Sequence, residues 1–285
     1  MIHFLPGVLR RYEPLVEAVP LVFDSPHSGD LYPADFGTVA PIWSLRTGED
    51  AFIDELYAAA PLHGAVLIAA EFPRSYIDTN RDVLDIDPEL LAEPWPVPLK
   101  PSQKTELGLS LIRRLAVPGQ PMYDRRLSVA EVQARITRYY EPYHDALKTA
   151  LDGLHQRFGA VWHVDCHSMK SVGSTMSTDN GARRPDFVIS DRDGTTCAPA
   201  FIGLVVGLLR ERGYSVNVND PYKGAELVRR HGRPAERRHA LQIEVNRALY
   251  MDEVHITRTE GFPKLKADID LLIAALAAFA RRGGS

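Results

Sequence analysis

The chain has 285 residues, 45% hydrophobic and 25% charged, with a formal net charge of -4; that suits one α/β catalytic domain over 1–285 and offers no bulk attraction to nucleic acid. No apolar stretch approaches the roughly 20 residues that span a bilayer, and the amino terminus lacks the layout of a signal peptide, so no membrane partner and a cytoplasmic location are expected. Only two cysteines, Cys166 and Cys197, are present, which excludes a disulfide framework and a paired C-x-x-C zinc site and leaves histidine and carboxylate to hold any metal.

In chain order, the run PLVFDS at 20–25 predicts a strand that leads into the turn-rich SPHSGD, which carries His27. A helical pattern over 49–60 follows, opened by Glu49 and Asp50, and GAVLIAAEF at 64–72 predicts the next strand. Residues 82–125 are proline-rich and weakly periodic and read as a long excursion beside a site. A helical pattern over 129–158 leads to a strand at 160–165, and 168–185, rich in Ser, Thr and Gly, is expected to be irregular. Strands at 186–190, 214–219 and 240–246 and helices over 198–212 and 263–282 complete the chain. This alternation predicts a three-layer α/β/α architecture, a largely parallel central sheet with helices on both faces. Ligand sites in such sheets gather past the carboxyl ends of strands, and His27, His167 and Glu244 each fall at or beyond one.

Four segments carry polar groups that a bland fold does not require. His27 in SPHSG, taken alone, reads as a structural or surface residue, and its functional weight comes from the other segments. In HVDCHSM at 163–169, alternation puts His163, Asp165 and His167 on one strand face. There His167 is suited to ligate a metal and Asp165 to orient an imidazole, whereas His163 reads as packing under a helix. EFPRSYIDTNRD at 71–82 places Arg74 and the pair Asn80-Arg81 near one strand end. Guanidinium groups bind carboxylates bidentately, although surface ion pairs with local acids are the simpler reading of these two. Glu244 lies in the apolar run LQIEVN, where an unpaired carboxylate is costly unless its pKa is raised for function; pairing with Arg237, Arg238 or Arg247 is the competing explanation. Two histidines and one carboxylate leave an open position on zinc for water, whose pKa falls toward about 7, with a nearby glutamate to take its proton. Asp30, Glu49 and Asp50 are all candidates for the acidic ligand.

The segments DSPHSG, ED before FIDELY, RSYIDTNR, YYEPYH, DCHSM, DGTTCAP, PYKGAELVRRHG and HALQIEVN, taken in that order, resemble the N-formylglutamate amidohydrolase family, whose likeness covers most of the chain. That family is similar to zinc carboxypeptidases and aspartoacylase, which implies a mixed, zinc-exopeptidase-like sheet and one zinc ion per chain. The resemblance implies His27, Asp50 and His167 as metal ligands, with Glu49 the alternative acid because GEDA replaces the family's usual run there. It implies Glu244 as general base and acid, Arg81 as the group that polarises the scissile carbonyl, and Arg74 and Asn80 as holders of the substrate carboxylate. Lys223 falls in a family motif and is read as a contact for a second substrate carboxylate; His231 also falls there, without an assigned role.

The activity so implied is zinc-dependent hydrolysis of N-formyl-L-glutamate to formate and L-glutamate, with a small acidic N-acyl amino acid as the partner. The competing expectations are a deacylase or carboxypeptidase for another N-acyl amino acid or peptide, and a non-catalytic binder of acidic metabolites. A cysteine hydrolase is disfavoured, because Cys166 and His167 are adjacent on a strand and point to opposite faces.

Overall fold

The computed structural model describes residues 2–177 and 179–283. The aliphatic and β-branched runs form strands, in chain order β1 (Ile2–Leu5), β2 (Leu9–Tyr12), β3 (Leu21–Ser25), β4 (Val66–Ala70), β5 (Leu115–Val117), β6 (Gln120–Pro121), β7 (Val161–Met169), β8 (Phe187–Ser190), β9 (Val216–Val218), β10 (Arg238–Asn246), β11 (Met251–Asp252) and β12 (Thr257–Arg258). The helices are α1 (Ile42–Arg46), α2 (Ile53–Leu56), α3 (Gln103–Glu106), α4 (Val129–Arg135), α5 (Glu141–Phe158), α6 (Pro199–Glu211), α7 (Glu226–His231) and α8 (Gly261–Arg281).

Eight strands make one mixed sheet in the order β1-β2-β4-β3-β7-β10-β8-β9. The four pairs β3/β4, β3/β7, β7/β10 and β8/β9 are parallel, while β1/β2, β2/β4 and β8/β10 are antiparallel. The largely parallel α/β expectation holds, and the antiparallel pairs make the sheet mixed. Side-chain alternation then separates two apolar layers. Trp162, Val164 and Cys166 of β7 and Leu241, Ile243 and Val245 of β10 join the core built with α6 and α8. Val22, Val66, Ile68 and Val161 face the opposite layer, which contains Tyr143, Leu147 and Leu151 of α5.

The expected helix over 129–158 is present as α4 and α5, joined by a π turn at Ile136–Tyr140. Ser128 opens it with a capping box completed by Glu131. The expected helix over 49–60 is instead α2, four residues long, followed by a 3-10 turn at Ala60–His63. Phe52 adopts a left-handed conformation at φ 67°, which interrupts the helix before it can form from Asp50. The strand expected at 160–165 runs on to Met169, because its parallel pairing with β10 continues to Met169 opposite Asn246; His167 therefore lies inside the strand, not at its exit. The hairpin β1/β2, which extends the sheet beyond β4, was not anticipated. Its strands have four residues each and β1 is exposed throughout, so they leave little apolar periodicity to read.

The turn after β3 is pressed against the chain beyond β4. A Cβ on Gly29 would stand 2.3 Å from the Glu71 carbonyl carbon and 2.5 Å from the carbonyl oxygens of Glu71 and Phe72. Backbone cannot yield as a side-chain tip can, so Gly29→Ala is expected to cost roughly 1–3 kcal/mol, the range for overpacking. Urea unfolding, read as a fall in midpoint at unchanged slope, checks this.

Candidate active site

The register of β7 with β10 sets Gln242 beside Asp165 and Glu244 beside His167. These four residues project from the face that carries α5, at the carboxyl-terminal halves of the two strands. His27 arrives from the turn after β3. Asp50 is brought to it by a backbone bond from Asp50 N–H to the His27 carbonyl, 2.9 Å, a tie between segments that the positive φ of Phe52 helps to orient.

Three donor atoms converge. His27 Nδ1 is 3.1 Å from His167 Nδ1, and Asp50 Oδ2 lies 3.4 Å from the first and 2.9 Å from the second. A tetrahedral ion with ligand bonds of about 2.0–2.1 Å spaces its donors about 3.3–3.4 Å apart, so these spacings suit a zinc-sized cation. The second nitrogen of each ring is held by a carboxylate: His27 Nε2 is 2.8 Å from Asp78 Oδ1, and His167 Nε2 is 2.6 Å from Asp165 Oδ1. Protons held at the Nε2 atoms leave the Nδ1 lone pairs facing each other and Asp50, an arrangement that repels itself unless positive charge lies among the donors. All five side chains are buried. Among the described residues, His27, Asp50 and His167 form the only group of three or more such side chains arranged to hold a metal ion.

The electrostatics make the same demand. Burial opposes a charged His167, yet Asp165, Asp50 and Glu244 hold its pKa well above the usual histidine value. Surroundings that favour an imidazolium this strongly favour a divalent cation too. Burial and the Arg74 guanidinium instead push His27 down. Asp50 and Asp78 lie well below the ordinary carboxylate range despite burial, the first through its bonds to His167 and His27, the second through Arg74 and His27.

Glu244 stands apart from this network. Its Oε1 accepts a 2.8 Å hydrogen bond from Gln242 Nε2, and among the described residues it forms no ion pair. Arg238 is paired with Asp152 and Arg247 with Asp50, and Arg237 Nη2 donates to the Gly283 carbonyl, so none of the three arginines that might have neutralised Glu244 does so. Burial, reinforced by Asp50 and Asp165 against the opposing effect of His167 and Arg74, raises its pKa to about 7.

The arginines are half-buried in the site, not superficial. Arg74 Nε and Nη2 donate to Asp78 Oδ2 at 3.1 and 2.8 Å, while Nη1 is 4.0 Å from Asp50 Oδ2. Arg74 is thus ion-paired with a local acid, yet inside the site. Arg81 Nε donates to the Leu109 carbonyl at 3.0 Å. Asn80 is engaged throughout: its Nδ2 donates to Asp165 Oδ2 at 3.0 Å and its Oδ1 accepts from Leu227 N–H at 2.9 Å. It braces the His167–Asp165 pair. Lys223 is 63% exposed and paired with Asp193 at 2.8 Å, on the rim.

Of the other acids considered, Asp30 is exposed, and Glu49 accepts from the Tyr32 hydroxyl and pairs with Arg46. His163 is buried against Asp24 at 2.6 Å, with the ring of His231 packed edge-on at 5.8 Å, away from the three donors. Asp78 and Gln242 escape sequence reasoning, and Arg247 is weighed there only as a partner for Glu244. Asp78 sits in the quoted RSYIDTNR, but only the tertiary fold brings it to His27. Arg247 clasps Asp50 Oδ1 at 2.9 Å and the Thr47 carbonyl at 2.9 Å. Gln242 orients Glu244, and its two-residue spacing on a strand was the available signal.

These groups line a cleft of about 720 Å³. Part of the 82–125 excursion forms a wall of it, with Asp85, Lys104, Leu109 and Arg113 facing inward. The excursion therefore lies beside the site, as its aperiodic sequence suggested. No helix among the described residues is long and apolar enough to cross a membrane.

Comparison with known proteins identifies the family. The family model for N-formylglutamate amidohydrolase matches residues 19–251. The N-formylglutamate deformylase of Pseudomonas putida is 31% identical over 241 residues, 82% of this chain and 83% of that protein. Its namesake from Pseudomonas aeruginosa is 30% identical over 240 residues, with the same coverage. The crystal structure of N-formylglutamate amidohydrolase from Ralstonia eutropha JMP134 superposes with a TM-score of 0.92 at 51% identity, over 97% of this chain and 99% of that one. The chain belongs to the N-formylglutamate amidohydrolase family.

Proposed function

We propose that the whole chain is one catalytic unit, a zinc-dependent amidohydrolase that converts N-formyl-L-glutamate and water to formate and L-glutamate. The observation that carries this reading is the convergence of His27 Nδ1, Asp50 Oδ2 and His167 Nδ1 beside an unpaired Glu244, in a cleft whose walls are rich in cations. The names of the relatives supply the substrate.

His27, Asp50 and His167 would hold the ion, and Asp78 and Asp165 fix the two imidazoles with their Nδ1 lone pairs directed inward. A zinc ion held there would supply Lewis acidity and lower the pKa of water toward neutral. Glu244 takes a proton from the water as it adds to the formyl carbon, then returns that proton to the amine nitrogen as the C–N bond breaks. A pKa near 7 suits both duties, and the bond from Gln242 keeps one carboxylate oxygen occupied so that the other faces the reacting atoms. Arg81 stabilises the developing negative charge on the formyl oxygen, and Arg74 holds the α-carboxylate. Because Asn80 is consumed by Asp165 and Leu227, its proposed part is to position His167 instead of touching substrate.

Formate release from N-formyl-L-glutamate, assayed beside N-acetyl-L-aspartate and short peptides, tests the substrate class; the formyl compound is expected to be turned over fastest, and a chelator to abolish turnover with loss of about one zinc per chain. Glu244→Gln is expected to reduce kcat by about 100- to 10,000-fold while zinc content is retained; turnover near the wild-type rate would remove Glu244 from its role. Asp78→Asn loosens the ring of His27 without touching the ion, so zinc affinity is expected to fall by about 10- to 100-fold, measured by competition with a chromophoric chelator.

A further inference from the structure

Seven arginines line the cleft, and six of them are engaged. Arg74 binds Asp78, Arg184 binds Asp179, Arg229 binds Glu226 and Arg247 binds Asp50, while Arg81 and Arg192 donate to the carbonyls of Leu109 and Gly224. The seventh, Arg113, is 8% exposed, and among the described residues its guanidinium has neither a hydrogen bond nor an ion pair; its Nε is sealed from solvent without a partner. Leaving a buried guanidinium unpaired is among the costliest arrangements a folded chain can hold. A structural arginine would have acquired a carboxylate or a carbonyl, as the other six have.

The chain makes room for this side chain. A Cβ on Gly48 would stand 2.7 Å from Arg113 Nη1, so the guanidinium rests on the turn that presents Asp50, two residues further on. Burial, together with neighbouring Arg74 and Arg81, pushes its pKa down to about 9; it remains charged at neutral pH, and an anion is what these surroundings lack.

We propose that Arg113 binds the side-chain carboxylate of the substrate and so sets the preference for acidic acyl amino acids. The inference rests on the reading of the chain as an N-formylglutamate hydrolase. The α-carboxylate is one carbon from the scissile nitrogen and stays close to the three donors, where Arg74 Nη1 is 4.0 Å from Asp50 Oδ2. The side-chain carboxylate extends three carbons from the α-carbon and reaches the wall formed by the excursion. There Arg113 offers a planar two-point fork already desolvated, so little is lost on pairing. Lys223, expected from sequence to take this carboxylate, is exposed and already paired with Asp193, and gives a solvated contact of little discrimination.

The test compares N-formyl-L-glutamate with N-formyl-L-glutamine, which keeps the α-carboxylate and replaces the side-chain carboxylate with a neutral amide. In Arg113→Met, the ratio of kcat/KM for the two substrates is expected to fall by about 100-fold, the loss typical of truncating a buried charge pair, with zinc content and Tm near wild type. An equal fall on both substrates, or an unchanged ratio, overturns the proposal. Arg113→Lys keeps the charge without the fork and is expected to lower the ratio by about tenfold; should the methionine variant fail to fold, an unchanged ratio in the lysine variant overturns the proposal equally. Calorimetric binding of L-glutamate and L-glutamine gives a reading independent of turnover. Wild type is expected to favour L-glutamate and the variants to lose that difference. If wild type releases no formate, the deformylase reading fails, and this binding difference still decides the role of Arg113.

Discussion

The site depends on one constraint, the in-register parallel pairing of β7 with β10. Because side chains alternate along a strand, that pairing divides the two central strands into an apolar face, Trp162 to Cys166 and Leu241 to Val245, and a polar face, Asp165 and His167 beside Gln242 and Glu244. A slip of one residue in either strand would send its polar members into the core and its aliphatic members into the cleft. The helices α6 and α8 packed on the apolar face therefore fix the chemistry indirectly: burying Leu241, Ile243 and Val245 is what holds Glu244 next to His167. His27 and Asp50 are then added from turns, each tied to a rigid strand end or to the other by backbone hydrogen bonds.

The electrostatic balance follows from that arrangement. Asp50, Asp78 and Asp165 are buried within one small volume, a density of negative charge that no fold tolerates without compensation. Arg74 and Arg247 supply part of it, each bonded to one of these acids. The rest is expressed in the histidines, whose donor atoms face one another as a cation requires. Glu244 forms no ion pair with a described guanidinium, and burial raises its pKa to about 7, near the balance between its two protonation states. Two carboxylates within one site thus have opposite pKa shifts, Asp50 down and Glu244 up, and different proposed duties.

Much of this was legible in the sequence, and what was not has a physical reason. The apolar runs at 20–25, 64–72, 186–190 and 240–246 carry enough β-branched pattern to locate strands, and the turn after the first made His27 conspicuous. The polar members of HVDCHSM were visible through period two. Residue pattern alone left Asp30, Glu49 and Asp50 open, and only the family resemblance pointed to Asp50, because its placement turns on the bond from Asp50 N–H to the His27 carbonyl and on the left-handed Phe52, neither of which local propensity encodes. The stretch EDAFIDELYAAA has good helix formers throughout, and a tertiary tie overrides them. Asp78 lies in an aperiodic segment and gains its meaning only from an imidazole 51 residues away in the chain. Lys223 drew notice through its neighbouring glycine and family motif, whereas Arg113 sits in an excursion without period or motif, and no sequence pattern signals that a charged side chain is both buried and unpaired.

The excursion also resolves a tension between the chain as a whole and its cleft. A formal net charge of -4 repels the proposed dianionic substrate at long range, where screening over about 8 Å at physiological salt leaves little of the field. Within the cleft the balance reverses, since Arg81, Arg113, Lys104 and Lys170 face inward without forming an ion pair with any described carboxylate, and low-dielectric walls focus their field on a small mouth. Burial, and after it the neighbouring arginines, push the ammonium pKa values of Lys104 and Lys170 down. Repulsion among these cations persists only if the rest of the fold outweighs it, and a bound dianion relieves it. The acidic substrate proposed above carries the counter-charge that Arg113, unpaired among the described residues, lacks.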